Sequence, residues 1–232
     1  MKTSDPDLKF PALLLDASNP TLFCGVLEDT ENWGFQSSKD GVALENIFPL
    51  VQEVIDQSKI RIDEIKCFLY CEGPGSVLGL RLAAMALETW RQLSPGQTAL
   101  FAYNSLQLTA HLLAKDLGGT DALLISDWKK DAWNAVRIHE GKVSTNEVVD
   151  DAALAQSALP VYHLPQRKGW QTPPESAQAL TYEPERIIEL ISVEPLLKKT
   201  DGVELSQKAA NTFAKWTPQR HRAPDAQLAP EK

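Results

Sequence analysis

The chain has 232 residues, 43% of them hydrophobic, which is enough for a packed core in one large or two small domains. Its formal net charge of -8 argues against a stand-alone nucleic-acid binder, because phosphate contact depends on lysine and arginine. The sequence holds no apolar run of the roughly 18 residues that a membrane helix needs, and its polar start lacks the pattern of a signal peptide. We therefore expect a cytoplasmic protein.

The first part of the chain alternates strand-like and helical patterns. Apolar, β-rich runs at 11–16 and 21–27 flank a short polar turn, and they predict an antiparallel hairpin with a third strand around 33–37. A helix is predicted over 42–58, and Pro49 is expected to bend it. A buried strand at 65–71 then leads through a glycine-rich turn into a second helix at 77–92.

These two helices carry more apolar residues than one-sided burial requires. In the first, Ala43, Ile47, Leu50 and Val54 form one stripe, and Leu44, Phe48, Val51 and Ile55 form a second beside it. The helix over 77–92 is apolar nearly all round, with several alanines that would allow another backbone to approach closely. The pattern favours a partner surface on these helices. The alternative is that each is covered within the monomer.

The second part of the chain repeats the alternation of strands and helices. A strand over 98–102 and a helix over 105–117 precede strand-like runs at 121–126, 132–139 and 142–149, which indicate a second sheet. Farther on, 166–174 is loop-like, 185–191 and 203–216 are predicted to be helical, and 218–232 is polar and proline-rich. The alternation predicts an α/β fold. We divide the chain into a first lobe (1–103), a smaller second lobe (104–197) and a C-terminal helix with a tail (198–232).

The three cysteines and four histidines predict no metal site and no disulfide framework. Cys24, Cys67 and Cys71 form no CxxC pair, and their number is odd. We interpret them as small buried hydrophobic residues in a reducing cytoplasm. The histidines are far apart in sequence, without an HxxxH or HExxH pair.

The turn Gly73-Pro74-Gly75-Ser76 is the local segment with a chemical rationale. Its glycines permit backbone shapes closed to other residues, and Ser76 is a good helix cap. The free amides of the next helical turn could bind an anion, to which Arg81 would add charge. The alternative is a tight turn that binds nothing. The spacing matches neither a P-loop nor the Rossmann fingerprint.

The run 73–81 (GPGSVLGLR) resembles the GPGSFTGLR signature of the TsaB (YeaZ) family. Four further runs resemble family segments in the same order: 14–18 (LLDAS), 47–52 (IFPLVQ), 104–106 (NSL) and 193–197 (VEPLL). The resemblance spans nearly the whole chain, and it is strong at the glycine loop and weak in the second lobe. Departures include Val77 and Leu78 for Phe-Thr, Ala17 for a threonine, a missing histidine at the start of the first helix, and 126–128 (SDW) for DAR.

The resemblance implies two RNase H-like lobes of the actin and sugar-kinase (ASKHA) superfamily. It also implies a non-catalytic partner subunit, paired with a TsaD-like transferase that forms threonylcarbamoyladenosine on tRNA. A TsaE-like ATPase would regulate the pair, and tRNA would be bound only through the complex. The family pairs through two helices of the first lobe, which places the expected interface at Leu44, Ile47, Phe48, Val51, Leu80, Ala84 and Leu87. A homodimer through the same face stays open.

No nucleophile–base pair or carboxylate pair can be nominated from spacing, so we predict no catalytic residue and no metal ligand. The superfamily keeps its first phosphate loop and a metal-linked acid where Asp16 and Ser18 lie. These two residues, with Gly73, Gly75, Ser76 and Arg81, are therefore the phosphate-loop candidates. An aspartate that caps a turn is the alternative for Asp16. The chain alone is expected to need no cofactor, and ATP or ADP with magnesium is left open for the assembled complex.

Two other functional hypotheses stay open. An actin-fold kinase or transferase predicts ATP binding by the isolated chain, lost in Asp16→Ala. A diverged regulatory protein predicts a homodimer without TsaD binding. The basic stretch 198–222 could touch tRNA in the complex or be a solvated helix face and tail.

Overall fold

The computed structural model describes residues 8–94, 98–165, 171–192 and 196–201. The strands are β1 (Ala12–Asp16), β2 (Thr21–Leu27), β3 (Trp33–Asp40), β4 (Cys67–Cys71), β5 (Ala99–Tyr103), β6 (Ala122–Lys129), β7 (Ala132–His139), β8 (Lys142–Val143), β9 (Glu147–Asp150), β10 (Val161–His163), β11 (Gln178–Ala179) and β12 (Lys198–Thr200). The helices are α1 (Ala43–Ser58), α2 (Val77–Leu93), α3 (Ser105–Asp116) and α4 (Asp151–Ala155), with 3-10 helices at Ile62–Glu64 and Pro184–Glu189. The predicted α/β class is confirmed.

The first sheet has the strand order β12-β5-β4-β1-β2-β3. Strands β1 to β3 form an antiparallel meander, and β4 and β5 then join β1 in parallel, each after a helix. This order of a hairpin followed by parallel strands is the RNase H-like plan. Strand β12 closes the far edge, antiparallel to β5.

The second sheet repeats that plan in the order β11-β10-β6-β7-β8, with β9 also paired to β7. Strands β6 and β7 are antiparallel, whereas β10 and β11 add to β6 in parallel. The predicted plan of two RNase H-like lobes is thereby confirmed. The run predicted as one strand at 142–149 is two short strands, and the five-residue helix α4 alone connects β9 to β10.

The first sheet is covered on both faces. Helices α1 and α2 pack on one face through a cluster that includes Leu15, Leu50 and Leu87. On the other face, Leu108 of α3 joins a second cluster with residues of β1, β4 and β5. Burial on both faces explains why β1 and β4 are apolar throughout instead of alternating.

The chain returns to the first lobe after the second sheet. Ile187, Leu190 and Ile191 join the cluster on the α3 side of the first sheet. The helix predicted at 185–191 is the 3-10 helix Pro184–Glu189, and the segment predicted to be a C-terminal helix and tail begins with strand β12. The predicted helix at 203–216, the tail, residues 166–170 and the family-like residues 193–195 lie outside the described residues.

All three cysteines are buried free thiols, each at most 2% exposed. Burial raises the pKa of Cys67 to about 12 and also raises the pKa values of Cys24 and Cys71. Since the thiolate is the reactive form, we expect Ellman's reagent to modify no thiol in the native protein and all three in guanidinium chloride. Rapid labelling of the native chain would contradict the placement of these side chains.

No helix in the described part of the chain is both long and apolar enough to cross a membrane. The described residues also hold no group of three or more His, Cys, Asp and Glu side chains that could bind a metal ion.

Candidate functional site

Three loops meet at the carboxyl ends of β1, β4 and β5, which are parallel neighbours. The loop after β1 holds Ser18, the loop after β4 is 73–76, and Asn104 follows β5. In open α/β sheets, ligands bind at this edge. The structure therefore brings together Asp16, Ser18, Gly73, Gly75 and Ser76, as the phosphate-loop prediction requires.

The first two of these loops touch each other directly. The Ser76 amide donates to the Ser18 carbonyl oxygen at 2.5 Å. A Cβ on Gly75 would lie 2.4 Å from that same oxygen, and a Cβ on Gly79 would lie 1.9 Å from the carbonyl oxygen of Ala17. Both glycines are thus needed for close approach of backbone to backbone. The two loops therefore leave no room between them at these contact points.

The start of α3 holds the glycine loop from its other side. The Ser105 amide donates to the Gly73 carbonyl at 2.9 Å, and the Ser105 hydroxyl donates to the Pro74 carbonyl at 2.7 Å. Ser76 caps α2, its Oγ accepting from the Gly79 amide at 3.2 Å. The predicted cap is therefore present, and the Ser76 side chain serves the helix as a hydrogen-bond acceptor.

Asp16 is 1% exposed and accepts three hydrogen bonds. Its Oδ1 accepts from the Ser18 amide at 2.7 Å, and its Oδ2 accepts from the hydroxyls of Tyr103 at 2.5 Å and Tyr182 at 2.6 Å. Burial, followed by the charge of Asp16, raises the pKa values of both tyrosines well above 10.0. A metal ion could reach this carboxylate only by opening the buried cluster around it. The closed arrangement of these residues does not fit a magnesium ion that carries a nucleotide phosphate.

Sequence reasoning missed both tyrosines. Tyr103 is the last residue of β5, so its position at the carboxyl edge was a usable signal. Tyr182 lies 166 residues from Asp16, and nothing in its local pattern indicates this contact. The predicted Arg81 is half-buried, and it has neither a hydrogen bond nor an ion pair with another described residue.

We expect Gly79→Ala to destabilise the protein by about 3 kcal/mol, although alanine normally favours a helix over glycine. The added methyl group would overlap the Ala17 carbonyl. Gly118→Ala is the control without a steric overlap, because nothing lies within 4 Å of the added atom, and its cost of about 1 kcal/mol comes from the backbone angle φ of +60° alone. Urea denaturation measures both changes. An equal or smaller loss for Gly79→Ala would contradict the contact between the loops.

Exposed apolar side chains gather on the outer side of α1 and α2. Seven of them lie in or beside these helices, with exposed fractions from 39% to 74%: Val42, Leu44, Phe48, Val77, Leu78, Met85 and Leu93. Single exposed apolar residues need no explanation, but a contiguous group indicates an interaction surface. Phe48 packs edge-on against Trp90 with ring centroids 5.8 Å apart, which joins the two helices into one surface. We call it the α1–α2 face.

The seven residues predicted for the partner interface differ in their exposure to solvent. Leu44 and Phe48 are exposed by 66% and 58%, and Leu80 is half-buried. The other four are at most 4% exposed and pack on the first sheet: Ile47, Val51, Ala84 and Leu87. These four leave little side-chain surface for a partner, because the helical period turns them toward the strands. Val77, Leu78 and Met85 are the exposed residues that the prediction omitted.

A groove of about 550 Å³ lies at one end of this face, between α1, the 3-10 helix Ile62–Glu64 and α2. Its apolar walls are Phe48, Val51, Ile55, Ile60, Ile62 and Trp90, and its polar rim is Gln52, Asp56, Arg61 and Asp63. A larger cleft of about 750 Å³ between α3 and the 141–146 segment is lined mostly by polar residues. That cleft lies apart from the α1–α2 face.

Comparison with protein families gives one match, to "TsaD: tRNA N6-adenosine threonylcarbamoyltransferase", over residues 43–95. The matched segment is the α1-to-α2 unit. No curated protein matches the chain.

Two solved structures are similar along most of the chain. "YeaZ from Pseudomonas aeruginosa" is 17% identical with a TM-score of 0.57, covering 78% of this chain and 89% of that one. An uncharacterized protein with similarity to peptidase YeaZ, from Pseudomonas aeruginosa, is 17% identical with a TM-score of 0.53, covering 74% of this chain and 86% of that one. At this identity the likeness shows the fold. The chain therefore has a YeaZ-like fold, and its residues 43–95 match the TsaD family model.

Proposed function

We propose that this YeaZ-like chain is a non-catalytic partner and activator subunit that pairs with a TsaD-like transferase in tRNA threonylcarbamoyladenosine formation. The proposal rests on one observation: the segment that matches the TsaD family, 43–95, also contains the helices of the α1–α2 face. Two related chains would each bring an α1–α2 pair, and packing the four helices together would bury both apolar surfaces.

The composition of the α1–α2 face supports a protein interface. Phe48, Leu78 and Met85 are large apolar residues of the kind that anchor such contacts. They project from helices whose opposite sides are fixed in the core by Leu50 and Leu87, each 0% exposed. The surface is therefore held rigidly in place, which lowers the entropy cost of association.

The geometry around Asp16 supports the proposal that this chain alone catalyses no reaction. The buried carboxylate accepts hydrogen bonds from Ser18, Tyr103 and Tyr182, and the loops beside it are in backbone contact. ATP or ADP with magnesium, where the reaction uses them, would then belong to the assembled complex. The kinase or transferase alternative would require Tyr182 to leave Asp16 before a phosphate could approach.

Within this proposal the partner supplies most of the tRNA contact, since this chain has a net charge of -8. A TsaE-like ATPase would act on the assembled pair, and the pair would work in the cytoplasm. The lobe boundaries at 103 and 197 remain predictions of the same proposal. A homodimer through the α1–α2 face is the competing arrangement.

The test is co-expression of the tagged chain with the TsaD homologue of the same genome. We expect the two to co-elute from affinity and size-exclusion columns. We also expect isothermal titration of the isolated chain with ATP and magnesium to give no binding heat. A monodisperse monomer that ignores the TsaD homologue would reject the partner role. ATP binding that Asp16→Ala abolishes would favour the enzyme alternative.

A further inference from the structure

The charged side chains on the exposed side of α1 are all carboxylates. Between Ala43 and Ser58 the charged residues are Glu45, Glu53 and Asp56, all exposed. Glu53 accepts from the Ser37 hydroxyl at 3.0 Å, and Asp56 accepts from the Gln52 amide at 2.8 Å. These donors are neutral. Among the described residues, no lysine or arginine forms an ion pair with any of the three carboxylates.

Two features of the helix backbone further favour hydrogen-bond donors and cations on this side of α1. Pro49 has no N–H, so the carbonyl oxygen of Glu45 lacks its usual helical donor on the exposed side of α1. Asp56 lies in the last turn, which holds no basic residue. The negative end of the helix dipole disfavours a carboxylate there and favours a cation.

The nearby cations do not neutralise this side of the helix. Arg61, on the rim of the groove, is bound by Asp63 through two hydrogen bonds of 3.0 and 2.5 Å. The side chain of Lys59, the C-cap of α1, forms no ion pair with another described residue. Carboxylates without a paired cation, close to an apolar groove, call for a partner that supplies donors and positive charge.

We infer that the occupant of the α1–α2 face is an amphipathic helix of the partner with a basic rim. A large apolar side chain of that helix enters the groove against Phe48 and Trp90. Lysine or arginine side chains next to it bond Glu45 and Asp56. This inference rests on the proposed function and specifies the chemistry of the partner surface.

A second copy of this chain fits the face less well. It would present the same acceptors from its own α1. From α2 it would bring Arg81 and Arg91, and Arg91 is already held by Glu88 through Nε and Nη2, each at 3.0 Å. Arg81 alone would then face the three carboxylates of the other copy, so self-association would bring together an excess of like charges, which is unfavourable. Charge complementarity favours a different, basic partner.

The test uses the full chain and the purified TsaD homologue of the same genome, with affinity measured by biolayer interferometry at about 50 and about 500 mM NaCl. The variant is Glu45→Lys with Asp56→Lys. Its control is Glu140→Lys with Glu175→Lys, which makes the same charge change at exposed sites of the second lobe. We expect the α1 variant to bind about tenfold more weakly at low salt and to lose most of the salt dependence. The control should stay within about twofold of wild type.

The outcomes distinguish the basic rim of the occupant from the partner role itself. If the α1 variant binds like wild type while Phe48→Glu does not bind, the basic rim is wrong and the partner role stands. If wild type itself does not bind the TsaD homologue, both are wrong. If the chain forms a homodimer that the charge reversal leaves unchanged or strengthens, the occupant is a second copy and the inference is overturned. Equal melting temperatures of the variants establish that folding is not the cause.

Discussion

Replacing Phe48 by glutamate should abolish binding of the TsaD-like partner and leave the chain folded. The side chain is 58% exposed, so little core contact is lost, and its contact with Trp90 is at the surface. In the complex, however, the new carboxylate would lie against the large apolar side chain that enters the groove, and it would lose its water there. We expect affinity to fall by about 100-fold or more, or about 3 kcal/mol. Interferometry measures the affinity, and differential scanning fluorimetry checks the fold.

Matched controls come from the second lobe. Trp128 and Val148 are 50% and 57% exposed, so Trp128→Glu and Val148→Glu make the same chemical change at the same exposure. They should bind the partner like wild type. If all three variants bind equally well, or all three lose binding, the α1–α2 face is not the interface.

The neighbours Ala84 and Met85 separate folding from binding. Ala84 is 1% exposed and packs on the first sheet, whereas Met85 is 39% exposed. Ala84→Arg should destabilise the protein by about 3 kcal/mol or more, because it buries an unpaired charge. Met85→Arg should keep the melting temperature and weaken binding. The reverse pattern would show that the orientation of α2 is wrong.

The second large effect is expected at Asp16. Asp16→Ala should cost about 3 kcal/mol or more, because the Ser18 amide and the hydroxyls of Tyr103 and Tyr182 lose their acceptor in a buried site. Tyr182→Phe, which removes one donor and keeps the ring, should cost only about 1 kcal/mol. Urea denaturation measures both. A stability close to wild type for Asp16→Ala would show that the carboxylate serves a ligand and not the fold.

The same cluster sets a pH dependence of stability. The raised pKa values of Tyr103 and Tyr182 mean that the folded state favours neutral phenols. Their contribution is complete below the unfolded pKa of about 10 and is lost as pH rises above it. Denaturation midpoints should therefore fall on going above about pH 10. The fall should be shallower in Tyr182→Phe, and an identical slope would contradict the assignment.

The sequence indicated the elements well where the pattern was local. The continuous apolar runs of β1 and β4, the caps at Ser76 and Asn104, and the helical period of α1 each follow from neighbouring residues. These are sufficient for the α/β class, and the glycine signature together with the order of segments led to the YeaZ-like fold.

What the sequence could not supply was the side of each helix that faces the sheet. Ile47 and Phe48 are adjacent and equally apolar, yet one is 2% and the other 58% exposed. The rotation of α1 about its axis depends on packing against β2, β3 and α2 together. The Asp16 cluster has the same origin, since Tyr182 reaches it only after the chain has crossed the second lobe and returned.

The second sheet repeats the strand plan of the first, but α4 stands where the first lobe has α1, and it has five residues. The described part of the second lobe therefore has no counterpart of the α1–α2 face. If the proposed pairing is correct, these described helices give the chain one docking surface, which would end an assembly at a pair and would not propagate a filament. A larger assembly would then require a contact made by the partner or by another surface of this chain.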